Sequence, residues 1–195
     1  MKPDLIALCE TRVGSIKPIE NTFREYRVIG KCPCLGQGGV AIAAKKGWFS
    51  EFLEVSTSIN KNITVGRLKI GSHTLRIILG YAPQETADEE LCEDFFTDLA
   101  IEVQTAVSNN ETPVLLGDMN AKIEAEESNP AIIQPKSRNG RIMVDLLTDT
   151  CNLKVVNSSK KCSGKWTHVV RTSLASSVLD YVMVTRHVDY KRNDN

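Results

Sequence analysis

The stretch from Thr86 to Asn110 constrains the fold most, because it carries sustained helical periodicity between short apolar runs of strand length. Thr86-Ala87-Asp88-Glu89 fits a capping box, with Thr86 accepting from the Glu89 amide and Glu89 reaching back. Cys92, Phe96, Leu99, Val103 and Val107 then recur at three- and four-residue steps, with Phe95 alongside, and predict one apolar stripe. Asn109-Asn110 ends the helix. Before it, Val40–Ala44, Phe52–Ser58, Ile63–Ile70 and Thr74–Tyr81 read as strands of an antiparallel meander. After it come an apolar strand at Pro113–Gly117 and a short helix whose apolar side is Ile142, Met143, Leu146 and Leu147. Strands are predicted again at Leu153–Val156, from Trp166, and at Val178–Val184. The opening run Asp4–Cys9 is a further buried strand.

Two stretches lack periodicity. Residues after Glu10, with Pro18, Pro33 and a Gly36-Gln37-Gly38-Gly39 cluster, read as a loop that turns into the next strand. That cluster lacks the Lys-Ser/Thr ending of a phosphate-binding loop. Ala121–Ser137 reads as a polar surface loop. A long helix between strands, then a short helix between strands, predicts an α/β class with sheets inside and helices outside.

Composition narrows the class. The chain has 195 residues, ordinary apolar and charged fractions and zero net charge, so it is expected to form one globular domain over residues 1–195. No apolar run approaches the roughly 18 residues of a membrane span, and no secretory signal layout opens the chain. A soluble intracellular protein is expected. Cys9, Cys32, Cys34, Cys92, Cys151 and Cys162 lack zinc-finger spacing and read as reduced, mostly structural thiols. The sequons at Asn62 and Asn157 are then chance matches. Acids cluster at Asp88–Asp94 and Glu124–Glu127, bases at Lys136–Arg141 and Lys160–Lys165. These read as solvated loops, although basic loops sharing a face would also track a phosphate backbone.

Four polar positions fall where buried strands end: Glu10, Tyr81, Asp118 with Asn120, and Asp180. Strand ends are where sheet proteins assemble sites. Carboxylates without a histidine or cysteine companion favour a hard cation such as Mg²⁺ over Zn²⁺. An Asp and an Asn two residues apart suit activation of water beside support of an oxyanion. Plainer readings stand next to these: Glu10 as an exposed strand-end charge, and Gly117-Asp118-Met119-Asn120 as turn chemistry. Asp180, inside Val178-Leu179-Asp180-Tyr181-Val182, is an acid in an apolar strand, which is costly unless paired or metal-bound.

Lys2-Pro3-Asp4-Leu5-Ile6-Ala7-Leu8-Cys9-Glu10-Thr11, Gly80-Tyr81-Ala82-Pro83-Gln84, Leu116-Gly117-Asp118-Met119-Asn120 and Leu179-Asp180-Tyr181-Val182 stand in that order. In this the chain resembles the endonuclease/exonuclease/phosphatase superfamily. Asn139-Gly140, Val144-Asp145-Leu146-Leu147, Val155-Val156-Asn157 and Lys165-Trp166-Thr167 further resemble the apurinic-type endonuclease of non-LTR retrotransposons. The resemblance implies a DNase I-like four-layer α/β sandwich, two mixed sheets flanked by helices. It implies that Glu10 binds metal, Asp118 orients or deprotonates water, Asn120 holds the phosphate and Tyr81 lies near it. Asp180 matches the aspartate that bonds the catalytic histidine in relatives, Gln84 stands where they often carry asparagine, and Trp166 reads as core.

Two pieces of the family pattern are missing from the sequence: an earlier strand with an active-site asparagine, and a Ser-Asp-His segment beyond Asp180. His168 and His187 are not suited to replace that histidine. Loss of a positioned general base or acid commonly costs about 10²–10⁴ in rate, so weak activity is expected. The leading expectation is a Mg²⁺-dependent endonuclease, Mn²⁺ being the alternative cation, that nicks one DNA strand in the nucleus. Its 3′-hydroxyl would prime a reverse transcriptase on another or adjoining polypeptide. A phosphoinositide-type phosphatase and a non-catalytic DNA- or protein-binding remnant are the alternatives.

Overall fold

The computed structural model describes residues 2–55, 59–125, 133–157, 168–169 and 176–186. The strands and helices run β1 Leu5–Cys9, α1 Lys17–Thr22, β2 Tyr26–Lys31, β3 Val40–Lys45, β4 Glu51–Glu54, β5 Ile63–Ile70, β6 His73–Tyr81 and α2 Glu89–Ser108. They continue with β7 Thr112–Asp118, β8 Ile123–Ala125, β9 Ile133–Pro135, α3 Arg138–Met143, β10 Leu153–Val155, β11 His168–Val169, β12 Ser176–Ser177 and β13 Asp180–Thr185. Past Met143 the α3 helix widens into a π-helical stretch, Val144–Thr150.

Two main sheets result. One is three-stranded and antiparallel, in the order β1-β3-β2. The other is six-stranded and mixed, in the order β10-β13-β7-β6-β5-β4, with β6 and β7 its parallel pair. Parallel neighbours need a crossover, and α2 supplies it. The expected meander therefore exists as β4-β5-β6, while β3 belongs to the other sheet.

Alternation along the strands sorts the core into layers. Ile42, Ala44 and Ile29 of the small sheet meet Phe52, Leu68, Ile77 and Leu79 of the large one. The opposite face of the large sheet carries Ile63, Val65, Ile78, Leu115 and Met183 against Cys92, Phe95, Phe96, Leu99 and Val103 of α2 and Leu147 beyond α3. The outer face of the small sheet packs Val28, Ala41 and Ala43 on Ile19 of α1. Helix, sheet, sheet and helix follow in turn: the expected four-layer α/β sandwich.

Several local expectations need correction. Helix α2 begins at Glu89 after an Asp88 N-cap that makes no side-chain cap bond, so the Thr86 capping box does not form. Cys92, Phe95, Phe96, Leu99 and Val103 are buried, but Val107 is 60% exposed, because in the last turn Ala106 takes the inward position instead. The stretch read as a loop after Glu10 contains α1 and β2, and part of the loop after Ala121 is the β8-β9 hairpin. Arg76 sits on the partly apolar face of β6 and is nonetheless buried. It lies between Glu102 of α2 at 2.6 Å and Glu111 at 3.1 Å. Trp166, Thr167 and His187 lie outside the described residues.

Candidate active site

The end of the large sheet is arranged by register. Tyr81 pairs with Asp118 across the parallel β6-β7 ladder, and Asp118 pairs with Asp180 across the antiparallel β7-β13 ladder. Paired residues share a face, and neighbouring strands stand about 4.8 Å apart. Leu79, Leu116 and Tyr81 line the core between the sheets, so this row turns toward the small sheet. The ladders run on past it through Ala82 N–H to Asp118 O at 2.8 Å and Met119 N–H to Leu179 O at 2.8 Å.

Such tight alignment requires glycine at the step before. Gly117 faces Gly80 in register and has φ +138°, and a Cβ there would lie 1.9 Å from the Gly80 carbonyl oxygen. Any side chain at Gly117 would push β7 off β6 and break the row one residue short of Asp118.

Glu10 arrives from the other sheet. It leaves β1 with φ +52°, a left-handed turn that few L-residues adopt. The Tyr81 hydroxyl donates to its Oε1 at 2.5 Å, and Arg12 Nη2 donates to its Oε2 at 3.0 Å. The Tyr81 bond first and Arg12 second hold the Glu10 carboxyl below the usual carboxylate range. Burial and then the bond to Glu10 push the Tyr81 hydroxyl up, so it remains a donor at neutral pH. Beneath them, Cys9 Sγ rests 3.6 Å from the Gly80 carbonyl oxygen. Burial, with the Asp118, Asp180 and Glu10 charges adding, pushes its thiol up to about 11. It is a protonated thiol at neutral pH.

Asp118 and Asn120 form a closed turn. The Asn120 N–H donates to Asp118 Oδ1 at 2.9 Å, and Asn120 has φ +43°. Its side-chain amide donates to the Ala82 carbonyl at 2.8 Å. The turn reading of this segment is therefore correct as geometry, and it orients the Asp118 carboxylate. Asp180 is a correction. It is the exposed first residue of β13 rather than an acid enclosed by apolar neighbours, so the desolvation argument for it fails. Its place in the row stands.

Two supporting residues escaped the sequence reading. Asn139 is fully buried, and its side-chain amide donates to Pro83 O at 3.0 Å and Asn120 O at 3.2 Å, tying together the loops after β6 and β7. Asn157 donates to Asp180 O at 2.7 Å and accepts from Val182 N–H at 3.0 Å, which fixes the start of β13. The signal was present as Asn139-Gly140 and Val155-Val156-Asn157, but a short amide near a glycine reads as a turn residue.

The donors fit a hard cation held loosely. Among the described residues no group of three or more His, Cys, Asp or Glu side chains encloses a metal position. Glu10 instead offers one ionised, 44% exposed carboxylate. Mg²⁺ is commonly held by one or two carboxylates with water and substrate oxygens completing its shell. Among the described residues no helix is long and apolar enough to cross a membrane.

A strand-end row of hydroxyl and carboxylates facing one further ionised carboxylate suits phosphate esters better than acyl transfer, which needs an activated nucleophile. The sequence model of the Endonuclease/Exonuclease/phosphatase family matches residues 1–192, and the chain belongs to that family. Solved structures share the fold. A 3′-5′ exonuclease, NExo, from Neisseria meningitidis superposes with TM-score 0.67 and 16% identity, over 94% of this chain and 77% of that one. An AP endonuclease from Archaeoglobus fulgidus gives 0.62 and 20%, over 94% and 76%. Truncated Caenorhabditis elegans TDP2 gives 0.60 and 14%, over 94% and 71%. A comparison with curated protein sequences finds no significant match.

Proposed function

We propose that this chain is a Mg²⁺-dependent phosphodiesterase that nicks one strand of duplex DNA, using Glu10, Tyr81, Asp118, Asn120 and Asp180. The observation that carries the reading is the row Tyr81–Asp118–Asp180, met from the opposite sheet by Glu10 through the Tyr81 hydroxyl. Mg²⁺, or Mn²⁺ in its place, would be held at Glu10 and would supply charge stabilisation for the phosphate and the leaving oxygen. Asp118 orients the attacking water and takes its proton, with its carboxylate steadied by the Asn120 amide. Tyr81 fixes Glu10 and faces the phosphate. Asn120 holds the loop that borders the phosphate, and Asp180 sets the polar wall beside Asp118.

The motifs around Asn139, Val144–Leu147 and Val155–Asn157 support a retrotransposon-type nuclease acting in the nucleus. Its nick would prime reverse transcription by an enzyme on an adjoining or separate polypeptide. In the described basic loop Lys136 is paired with Glu124 at 2.9 Å and Arg141 with Glu89 at 3.2 Å, both exposed pairs of little strength. A binding-only remnant would therefore show salt-sensitive DNA binding that survives Glu10→Ala and needs no metal. Supercoiled plasmid and a panel of inositol phosphates, each incubated with the protein and Mg²⁺, separate nuclease from phosphatase. Nicked circles without phosphate release are expected, and phosphate release without nicking overturns the proposal.

A further inference from the structure

We infer that Arg12 is a resident counter-cation of Glu10, exchanged for the divalent cation on loading and then turned to a phosphate oxygen of the substrate. The inference rests on the placement of the cation at Glu10 proposed above. Both carboxylate oxygens of Glu10 are engaged: Oε1 by the Tyr81 hydroxyl and Oε2 by Arg12 Nη2 at 3.0 Å. A cation reaching this carboxylate therefore has to share it with the guanidinium. Two positive groups on one carboxylate repel each other, and the guanidinium is the mobile one.

The local build anchors the root of Arg12 and leaves its tip able to move. Arg12 N–H donates to Gly38 O at 2.8 Å, Arg12 O accepts from Gly36 N–H at 2.9 Å, and Thr11 N–H donates to Gly39 O at 3.1 Å. Arg12 itself has φ +53°, so two of three successive residues, Glu10 and Arg12, take the left-handed conformation. Such conformations persist where the surroundings over-determine them. Gly39 is part of that hold, since a Cβ on it would lie 2.3 Å from Thr11 Oγ1. The Arg12 side chain, in contrast, is 61% exposed, and an exposed ion pair contributes little. Exchange is then easy, and the next anion within reach of the anchored guanidinium is the phosphodiester brought to Glu10. Arginine suits both partners, because its planar fork matches carboxylate and phosphate alike.

The exchange predicts opposite changes in two binding measurements on one variant. Arg12→Met removes the competitor, so Mg²⁺ and Mn²⁺, titrated by calorimetry without DNA, should bind about two- to fivefold more tightly, in line with an exposed pair. The same variant should bind a short labelled duplex more weakly in Ca²⁺, with a salt slope shallower by about one phosphate contact. Arg12→Lys should restore both values toward wild type, which a purely structural role would not require. Unchanged cation affinity in Arg12→Met, with Glu10→Gln abolishing cation binding, overturns the exchange and leaves the cation site standing. Cation binding indifferent to Glu10→Gln overturns the site, and the exchange with it. Weaker cation binding in Arg12→Met also overturns the exchange, because Arg12 would then be supporting Glu10 rather than competing for it.

Discussion

Replacing Asn139 by alanine separates a residue that positions the site from one that merely stabilises the fold. The side-chain nitrogen donates to two carbonyls, Pro83 O and Asn120 O, which settles the orientation of the amide because only the NH₂ end can face them. Each such bond is worth about 0.5–1.5 kcal/mol net, so the pair contributes about 1–3 kcal/mol. Alanine also leaves both carbonyls without this donor, so Asn139→Ala should destabilise the fold by about 1–3 kcal/mol, read as a lower urea midpoint at constant slope. The rate of the protein that stays folded should respond as well. Asn139 is the common tether of the loops carrying Ala82–Pro83 and Asn120, and a displacement of about 1 Å in such a constellation costs about 10²-fold. Single-turnover nicking of plasmid by folded Asn139→Ala protein should therefore fall by about 10²-fold. A rate loss below tenfold in the folded protein refutes the tether.

Three other outcomes follow from the geometry. Gly117→Ala places a Cβ 1.9 Å from the Gly80 carbonyl oxygen at φ +138°, and should cost about 3 kcal/mol or more or prevent folding, as read by thermal melting. Arg76→Met strips the shared guanidinium from Glu102 and Glu111 and should cost about 3–5 kcal/mol in urea unfolding, with part recovered by adding Glu102→Leu. Glu10 has a lowered folded-state pKa, so its contribution is fully present above the unfolded value of about 4.3 and is lost as pH falls through the lower folded value. Tyr81→Phe removes the largest cause of that lowering, and NMR titration of the Glu10 carboxyl should show its pKa rise.

The sequence carried the backbone of this account because its strongest signals are local. Periodicity placed β5, β6, β7 and α2 close to their observed limits, and the strand-end positions of Glu10, Tyr81 and Asp118 followed from those runs. The segment at α1 and β2 is not legible because Pro18 and Pro33 mark breaks, while Pro18 in fact sits in the first turn of the helix, where its missing N–H is harmless. Asp180 was misjudged since an apolar neighbourhood in sequence does not say where a strand begins. The burial of Arg76 is not legible in the sequence for a related reason: its partners, Glu102 and Glu111, stand 26 and 35 residues away. The roles of Asn139 and Arg12 depend on loops that meet only in three dimensions. No spacing rule reveals such meetings.

The most direct test of the central claim is the Mg²⁺ dependence of single-turnover plasmid nicking by wild-type protein and Asp118→Ala, prepared side by side. Nicking by wild type should require the cation and should fall by at least about 10²-fold in Asp118→Ala, as for loss of a positioned base. Equal nicking by the two proteins, or nicking indifferent to Mg²⁺, contradicts that claim.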